Sequence, residues 1–489
     1  MSKQAQLRQL RHCGLLGLAL LTLFAGGCSS EQAHPDVLIV VLDTVRADRL
    51  AAYGHERSTG LLLQKLAREH GVLFEDVTAP SPWTWPSHAS LFTGESPWVH
   101  GAHLATHESG ANTLEQHGMR VTQIREDLPT LAERFAAAGY RTVGLASNPW
   151  LDPELGLMRG FKIARLLEND LEVVEAARAE IAADPAQPLF LFVNLMAAHM
   201  PYYESGAPWL EAHGEKLEPK TAPAWLRPYL MQDAGVRGVN LELHAPGSEY
   251  SGVVDFIRGD LDIPPEGMEF LRDLYDGELA RADRLFSDIL ERWTSVRGDQ
   301  IVVVTSDHGE YFGEHGMLEH RGTVYTPVLR VPLICVAPGR LPAGQRIKVP
   351  VSLQRVYPTL LDLAGIATPP GSLLPLVRGE ESEEPIAAAA WPVMAWARQI
   401  GGRLERRWQL YREHDTALVW DSSGTIELYD LSQDPSMTQN LIPQQQEQAD
   451  KLLARARVHF LSSEHIRTAE VPLSPDQRKR LRALGYVGN

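Results

Sequence analysis

Two unbroken apolar runs that end in metal-ligand side chains constrain the fold of this chain more than any other feature. Residues 37–42 (Val-Leu-Ile-Val-Val-Leu) lead into Asp43, and residues 301–305 (Ile-Val-Val-Val-Thr) lead into Ser306-Asp307-His308-Gly309-Glu310. Apolar runs without polar alternation suit strands covered on both faces, as in the middle of a parallel sheet. Between them helical and strand-like patterns alternate. Residues 128–138 read as an amphipathic helix, 142–146 as a strand, 167–183 as a helix and 190–193 as a strand; 267–293 have helical spacing and feed directly into 301–305. This alternation predicts an α/β fold with a doubly wound, mostly parallel central sheet flanked by helices. Ligands of such sheets bind at the C-terminal strand ends, which is where Asp43, Asp307 and His308 fall.

A third segment supplies a reactive group. In Thr84-Trp85-Pro86-Ser87-His88-Ala89-Ser90-Leu91-Phe92-Thr93-Gly94 a hydroxyl precedes a proline able to occupy a first helical turn. Backbone N–H groups and the helix dipole favour an anion there. Together the three segments suggest a metal-activated Thr84 nucleophile attacking a tetrahedral anion.

These residues resemble the sulfatase family of the alkaline-phosphatase superfamily, almost end to end. The resemblance begins at Pro35-Asp36-Val37 and runs through the Thr84 segment to Pro188-Leu189-Phe190-Leu191-Phe192-Val193-Asn194 and His199-Met200-Pro201-Tyr202. It continues at Tyr275-Asp276-Gly277-Glu278, Gly313-Glu314-His315-Gly316, Val331-Pro332-Leu333-Ile334 and Pro358-Thr359-Leu360-Leu361-Asp362-Leu363-Ala364-Gly365, and returns in the tail at Glu427-Leu428-Tyr429-Asp430-Leu431 and Leu484-Gly485-Tyr486.

The resemblance implies a site and also marks where this chain departs from the family. Thr84 stands where sulfatases carry the Cys or Ser that becomes formylglycine, and His88 stands in place of the Arg that the conversion requires. Thr at this place is similar to the phosphodiesterases and phosphoethanolamine transferases of the superfamily, which form a phospho-threonine. Asp43, Thr84, Asp307 and His308 would hold one divalent metal ion. Thr44 replaces a second acidic ligand, so the small mixed O/N set favours zinc or manganese, with calcium the alternative. Leu195 stands where two-zinc relatives carry an Asp, so no second metal is expected and His199 reads as a substrate or leaving-group contact. His315 and His320 are candidate proton carriers, and His88 would place a donor near the nucleophile. Arg321, four residues before Tyr325, matches a substrate-binding Lys and can grip two oxyanion oxygens. The Lys and His that sulfatases place after Gly139-Tyr140-Arg141-Thr142 are missing; Asn148 is a candidate substrate contact. Ser87 and Ser90 are expected to serve the helix, Trp83 and Trp85 either wall the pocket or pack the core, and Arg46 and Asp48 read as a structural ion pair beneath the site.

The N-terminus reads as a targeting segment. Lys3, Arg8 and Arg11 precede an apolar stretch at 14–24, too short to span a bilayer, and Ala25-Gly26-Gly27-Cys28 resembles a bacterial lipobox with Cys28 lipidated. Residues 1–28 are thus expected to be a lipoprotein signal with its lipobox, and 29–35 a tether. Ser29 directs the expectation to the outer membrane of a two-membrane cell envelope. Cys335 is then the one cysteine left to the fold, a small buried hydrophobe rather than half of a disulfide. The net charge of −16 becomes about −19 without the signal, which argues against nucleic acid as a partner. An anionic ester substrate is still compatible, because a metal reverses the field inside the site. The charge says nothing about oligomeric state.

Residues 36–385 form the expected catalytic domain. Within it 203–266, punctuated by seven prolines, read either as a surface excursion or as a lid. Residues 386–489 form a smaller C-terminal α+β subdomain. Its expected strands are apolar segments at 391–396, 408–411, 417–420 and 426–431, followed by a helix near 445–461. The resulting expectation is a lipid-anchored, metal-dependent hydrolase cleaving phosphate esters, phosphodiesters or phosphonates through Thr84. The alternatives are an envelope phosphotransferase, a sulfatase working without formylglycine, and a non-catalytic binding lipoprotein.

Overall fold

The computed structural model describes residues 34–103, 120–203, 220, 222–233, 236–248, 250–320, 322–380, 383–392, 402–460 and 468–483. The signal segment with Cys28, Arg321, Leu484-Gly485-Tyr486 and much of the candidate lid lie outside the described residues.

An eight-stranded mixed sheet organises the chain. In chain order its strands are β1 (Asp36–Leu42), β2 (Val72–Phe74), β3 (Arg141–Ala146), β4 (Ile163–Leu166), β5 (Leu189–Leu195), β6 (Gln300–Thr305), β7 (Leu333–Val336) and β8 (Gln345–Ile347). Their spatial order is β8-β2-β7-β6-β1-β5-β3-β4. The five strands from β6 to β4 are mutually parallel; β7 alone runs against both its neighbours. The unalternated run of β1 has its expected cause: every residue from Val37 to Leu42 is at most 2% exposed. Each such side chain contributes ~1.5–3 kcal/mol of burial.

Helices flank the sheet in two groups. The helices α1 (Thr84–Thr93), α2 (Leu131–Ala137) and Val356–Leu363 pack together. From this group Phe92 meets Phe192 of β5 edge-on and Phe135 stacks on Phe190 of the same strand. The second group is Leu61–Glu69, α3 (Asp170–Ala182) and the 32-residue α4 (Pro265–Val296). Their starts are locally encoded. Thr130 and Glu133 form a capping box on α2, Asn169 caps α3, and Pro265 occupies the first turn of α4.

Within 203–266, the strands Leu230–Asp233 and Val236–Val239 form a small antiparallel sheet with Tyr202–Tyr203. Among the described residues no helix is long and apolar enough to cross a membrane.

The C-terminal subdomain is a four-stranded antiparallel sheet of Ile386–Ala390, Trp408–Glu413, Thr416–Asp421 and Ile426–Asp430, covered by the helix Ile442–Phe460. The first strand is Ile386–Ala390, which the sequence reading did not place; of the segment expected as a strand at 391–396, Trp391 and Pro392 follow this strand and 393–396 lie outside the described residues. Four successive alanines carry little β-propensity, but their small side chains are fully covered within this strand. Arg412 reaches the catalytic domain through a two-point ion pair with Asp76. Farther on, Glu470–Pro472 pairs antiparallel with Arg120–Thr122, and the helix Pro475–Ala483 packs on the turn Pro149–Leu151.

Candidate active site

The site forms where four adjacent parallel strands end. Asp43 follows β1, Asp307 and His308 follow β6, Asn194 closes β5 and Asn148 follows β3. Parallel register brings these ends level, with Val41 opposite both Thr305 and Asn194, and Ala146 opposite Asn194. Helix α1 starts at Thr84 with Trp83 extended at its N-cap (φ −161°, ψ 163°), which delivers the hydroxyl to the same point.

His308 Nε2 is the centre of the cluster. Asp307 Oδ2 lies 3.3 Å away, Thr84 Oγ1 3.5 Å and Asp43 Oδ1 3.8 Å. All four residues are at most 1% exposed. His308 Nδ1 is 3.1 Å from the Gly309 carbonyl, an acceptor, so the proton sits on Nδ1 and Nε2 keeps its lone pair. Asp43 Oδ1 and both carboxylate oxygens of Asp307 have no hydrogen-bond partner. Burial, and for Asp43 next the charge of Asp307, pushes both carboxyls up to about 7. Orphaned carboxylate oxygens around an imidazole lone pair fit a divalent cation, since buried charge needs a counter-charge. The ligand atoms of Asp43, Asp307 and His308 all lie within 4.8 Å of one another.

Local chemistry explains how these groups are held. Thr44 takes a left-handed conformation (φ 60°), and its hydroxyl donates to the Asp43 carbonyl at 2.7 Å. That conformation is costly for a β-branched residue; the Tyr275 hydroxyl supports it by donating to the Thr44 carbonyl at 2.8 Å. Gly309 is required by space: a Cβ there would lie 2.3 Å from the Pro327 carbonyl oxygen. Ser87 does not merely serve its helix. It donates 2.7 Å to the Asp307 carbonyl and ties α1 to the turn that carries Asp307 and His308. Ser90 likewise pairs with His100, which also meets the Pro86 carbonyl.

His88 lies fully buried, with Nδ1 3.0 Å from the Thr84 carbonyl and 3.4 Å from Asp307 Oδ2. Burial lowers it to about 3, so it is a neutral donor to the backbone of the turn that carries Thr84. His199 and His320 stand side by side, ring centres 5.0 Å apart, and His320 is 4.3 Å from His308. Glu310 Oε1 fixes His320 Nδ1 at 3.1 Å, and the Met200 carbonyl fixes His199 Nδ1 at 2.6 Å. His315 is placed elsewhere. Its ring stacks on Tyr325 at 3.7 Å and its Nε2 meets the Ser436 carbonyl at 2.9 Å, contacts that fasten the C-terminal subdomain.

Trp83 and Trp85 are packing residues. Trp85 Nε1 donates to the Thr122 carbonyl and both rings meet Trp150 edge-on. Arg46 pairs with Asp48 and with Glu314, joining β1 to the segment after Asp307.

Two amides complete the site. Asn148 Nδ2 donates to Asp43 Oδ2 at 2.7 Å and to Thr84 Oγ1 at 3.2 Å; Asn194 Nδ2 donates to the same Asp43 oxygen at 3.1 Å. Asn194 was missed in the sequence because an asparagine ending an apolar strand has no local signature. Its only signal was its place at the C-terminal end of a central strand.

The sulfatase family's sequence profile matches residues 35–366, and the profile "N-sulphoglucosamine sulphohydrolase, C-terminal" matches 313–461. Arylsulfatase K of Xenopus laevis is 25% identical over 87% of this chain and 83% of its own length. The Delta 4,5-hexuronate-2-O-sulfatase of Bacteroides thetaiotaomicron is 24% identical over 87% of each. Among solved structures, the phosphonate monoester hydrolase of Agrobacterium radiobacter superposes with a TM-score of 0.61 at 19% identity, covering 90% of this chain and 100% of that one. A 2-O GAG sulfatase superposes with a TM-score of 0.62 at 19% identity, covering 91% and 96%. A profile match over most of the catalytic domain settles the kinship: the chain belongs to the sulfatase family, metal-dependent hydrolases of ester bonds.

Proposed function

We propose that this enzyme hydrolyses monoanionic phosphoesters, namely phosphodiesters or phosphonate monoesters, with Thr84 as a covalent nucleophile. One observation carries the reading. The side chain at the focus of Asp43, Asn148 and His308 is a threonine hydroxyl, which has no route to a formylglycine. Asp43, Asp307, His308 and Thr84 would hold the ion, with zinc or manganese favoured by the mixed donor set. When bound, the ion lowers the pKa of the Thr84 hydroxyl and offsets charge on the substrate.

Charge selects among esters. Two carboxylates cancel one divalent ion, and among the described residues no lysine or arginine touches Thr84, Asp43 or Asp307. The ion and its two carboxylates alone leave no net charge, which suits a monoanion better than the dianion of a phosphate monoester; Arg321, the expected cationic contact to substrate, lies outside the described residues. Thr84 Oγ1 attacks phosphorus, the Oγ1–P bond forms and the bond to the leaving oxygen breaks. The hydroxyl proton of Thr84 ends on that leaving oxygen, carried by the adjacent imidazoles of His320 and His199. Glu310 and the Met200 carbonyl hold the two Nδ1 atoms, so Nε2 is the exchanging nitrogen in each. Water then attacks phosphorus, its O–P bond forms as the Oγ1–P bond breaks, and a proton of that water ends on Thr84 Oγ1.

A second reading, sulfate ester hydrolysis, is favoured by relatives named arylsulfatase K and choline-sulfatase. Sulfate esters are also monoanions. A sulfated threonine, however, lacks the second hydroxyl with which a formylglycine hydrate expels sulfate. The test is a quenched reaction with an aryl phosphodiester, followed by peptide mass analysis. Thr84 should be unmodified in resting enzyme and carry the phosphoryl group transiently. Thr84→Ala should lose several orders of magnitude in turnover and Thr84→Ser only part of it. Faster turnover of aryl sulfate than of aryl phosphodiester would overturn the phosphoester reading.

A further inference from the structure

Asn148 and Asn194 place two amide groups on one oxygen, Asp43 Oδ2, yet their environments differ. Asn148 is fully buried and every polar atom of its side chain is used. Its Oδ1 accepts from the Trp150 backbone N–H at 2.9 Å. That contact settles which end of the amide is nitrogen: Nδ2 must face Asp43 and Thr84, with one hydrogen for each. Pro149 and the short helical turn Pro149–Leu151 fix the backbone, and no solvent competes for the donors. Asn194 Nδ2 donates to Asp43, and its Oδ1 has no partner.

We propose that Asn148 is a catalytic residue that holds the nucleophilic oxygen, whereas Asn194 acts only by positioning Asp43; the proposal rests on Thr84 being the nucleophile. Because Oγ1 accepts a hydrogen bond from Asn148, the Thr84 hydroxyl proton is turned away from β3 and a lone pair is committed to the amide. The donor strengthens as negative charge grows on Oγ1, which happens when the Thr84 hydroxyl loses its proton and again when the Oγ1–P bond breaks. The amide gives up no proton in either step. The same amino group binds Asp43 Oδ2, so both amides leave Oδ1 as the carboxylate oxygen turned toward His308.

The full-length protein, Asn148→Ala, Asn148→Asp and Asn194→Ala separate the two roles. Calorimetric titration of each metal-free protein with Zn²⁺ or Mn²⁺ gives metal affinity. The burst of aryloxide release from an aryl phosphodiester gives the first chemical step. Asn194→Ala should bind metal about tenfold more weakly, and excess metal should bring its burst back to within a few fold of wild type. Asn148→Ala should lose about 10²-fold in burst rate even with the site saturated. Asn148→Asp keeps the shape and the acceptor for Trp150 N–H and has no donor once ionised, so at alkaline pH its burst should fall at least as far. Recovery of the Asn148→Ala burst by excess metal would reduce Asn148 to a second clamp on Asp43 and overturn the proposal. An unaltered burst in folded Asn148→Asp at alkaline pH would overturn it also. If wild type forms no adduct at Thr84 and Thr84→Ala stays active, the nucleophile itself is wrong and the assignment falls with it.

Discussion

Replacing Asp307 by asparagine should make the metal-free protein more stable while abolishing its response to metal. Asp307 is 1% exposed with both carboxylate oxygens unpartnered, and its ligand atom lies within 4.8 Å of that of Asp43. Two like charges at that separation repel by ~3 kcal/mol at an effective dielectric of about 20. Burial raises the Asp307 carboxyl from 3.8 to about 7, against the lowering effect of nearby hydrogen-bond donors. Every tenfold change in proton affinity is worth ~1.4 kcal/mol, so ionisation costs the fold at most ~4 kcal/mol. An asparagine removes this cost but leaves its own amide poorly paired, at ~1–2 kcal/mol. The net gain expected at pH 8 is ~1–3 kcal/mol. A folded-state pKa above the unfolded value means stability is fully present below about pH 4 and lost as pH rises through 7. The advantage of Asp307→Asn should therefore be small at pH 5 and large at pH 8. Thermal unfolding of both proteins in chelator at the two pH values measures it. With a divalent ion at 100 times its Kd, wild type should gain ~2.7 kcal/mol and the variant almost nothing. A lower melting temperature for Asp307→Asn in chelator at pH 8 would refute the reasoning.

Three further outcomes are expected. Gly309→Ala forces a Cβ to 2.3 Å from the Pro327 carbonyl; stability should fall by ~1–3 kcal/mol, with metal affinity, read by denaturant unfolding and calorimetry. His320→Gln should slow phosphodiesters with alkyl leaving groups by ~10²-fold or more but nitrophenyl esters far less, because a good leaving group needs no proton. We propose that Cys28 carries a lipid that anchors the enzyme, so Cys28→Ala should move it from the membrane fraction to the soluble fraction with turnover of a soluble ester intact; retention after a high-salt wash would contradict this.

The features legible in the sequence share a physical cause. Strands β1, β5 and β6 announce themselves because burial on both faces leaves no polar alternation, and Asp43, Asp307 and His308 stand out because acids and histidine at buried strand ends need a reason. What stayed hidden depends on contacts between residues far apart in the chain. Asn194 carries meaning only once its amide meets Asp43, 151 residues away. Ser87 reads as a helix residue until Asp307 is seen across from it. His315 belongs to a family-like motif, yet its left-handed backbone (φ 55°) turns its ring onto Tyr325. Strand Ile386–Ala390 is invisible to pattern because alanine is apolar enough to bury but neutral about conformation.

The pairing of Glu470–Pro472 with Arg120–Thr122 ties Thr84 to the order in which the chain is made. Thr122 gives its carbonyl to the indole of Trp85, on the turn that presents Thr84. The strand holding Thr122 is completed by residues translated roughly 350 positions later, a wait of about 20–70 s at 5–20 residues per second. A nascent chain thus has Asp43, Thr84, Asp307 and His308 outside the ribosome well before the wall behind Trp85 closes. Chains that end between His308 and Glu470 therefore carry Asp43, Thr84, Asp307 and His308 yet lack the strand that completes the wall behind Trp85.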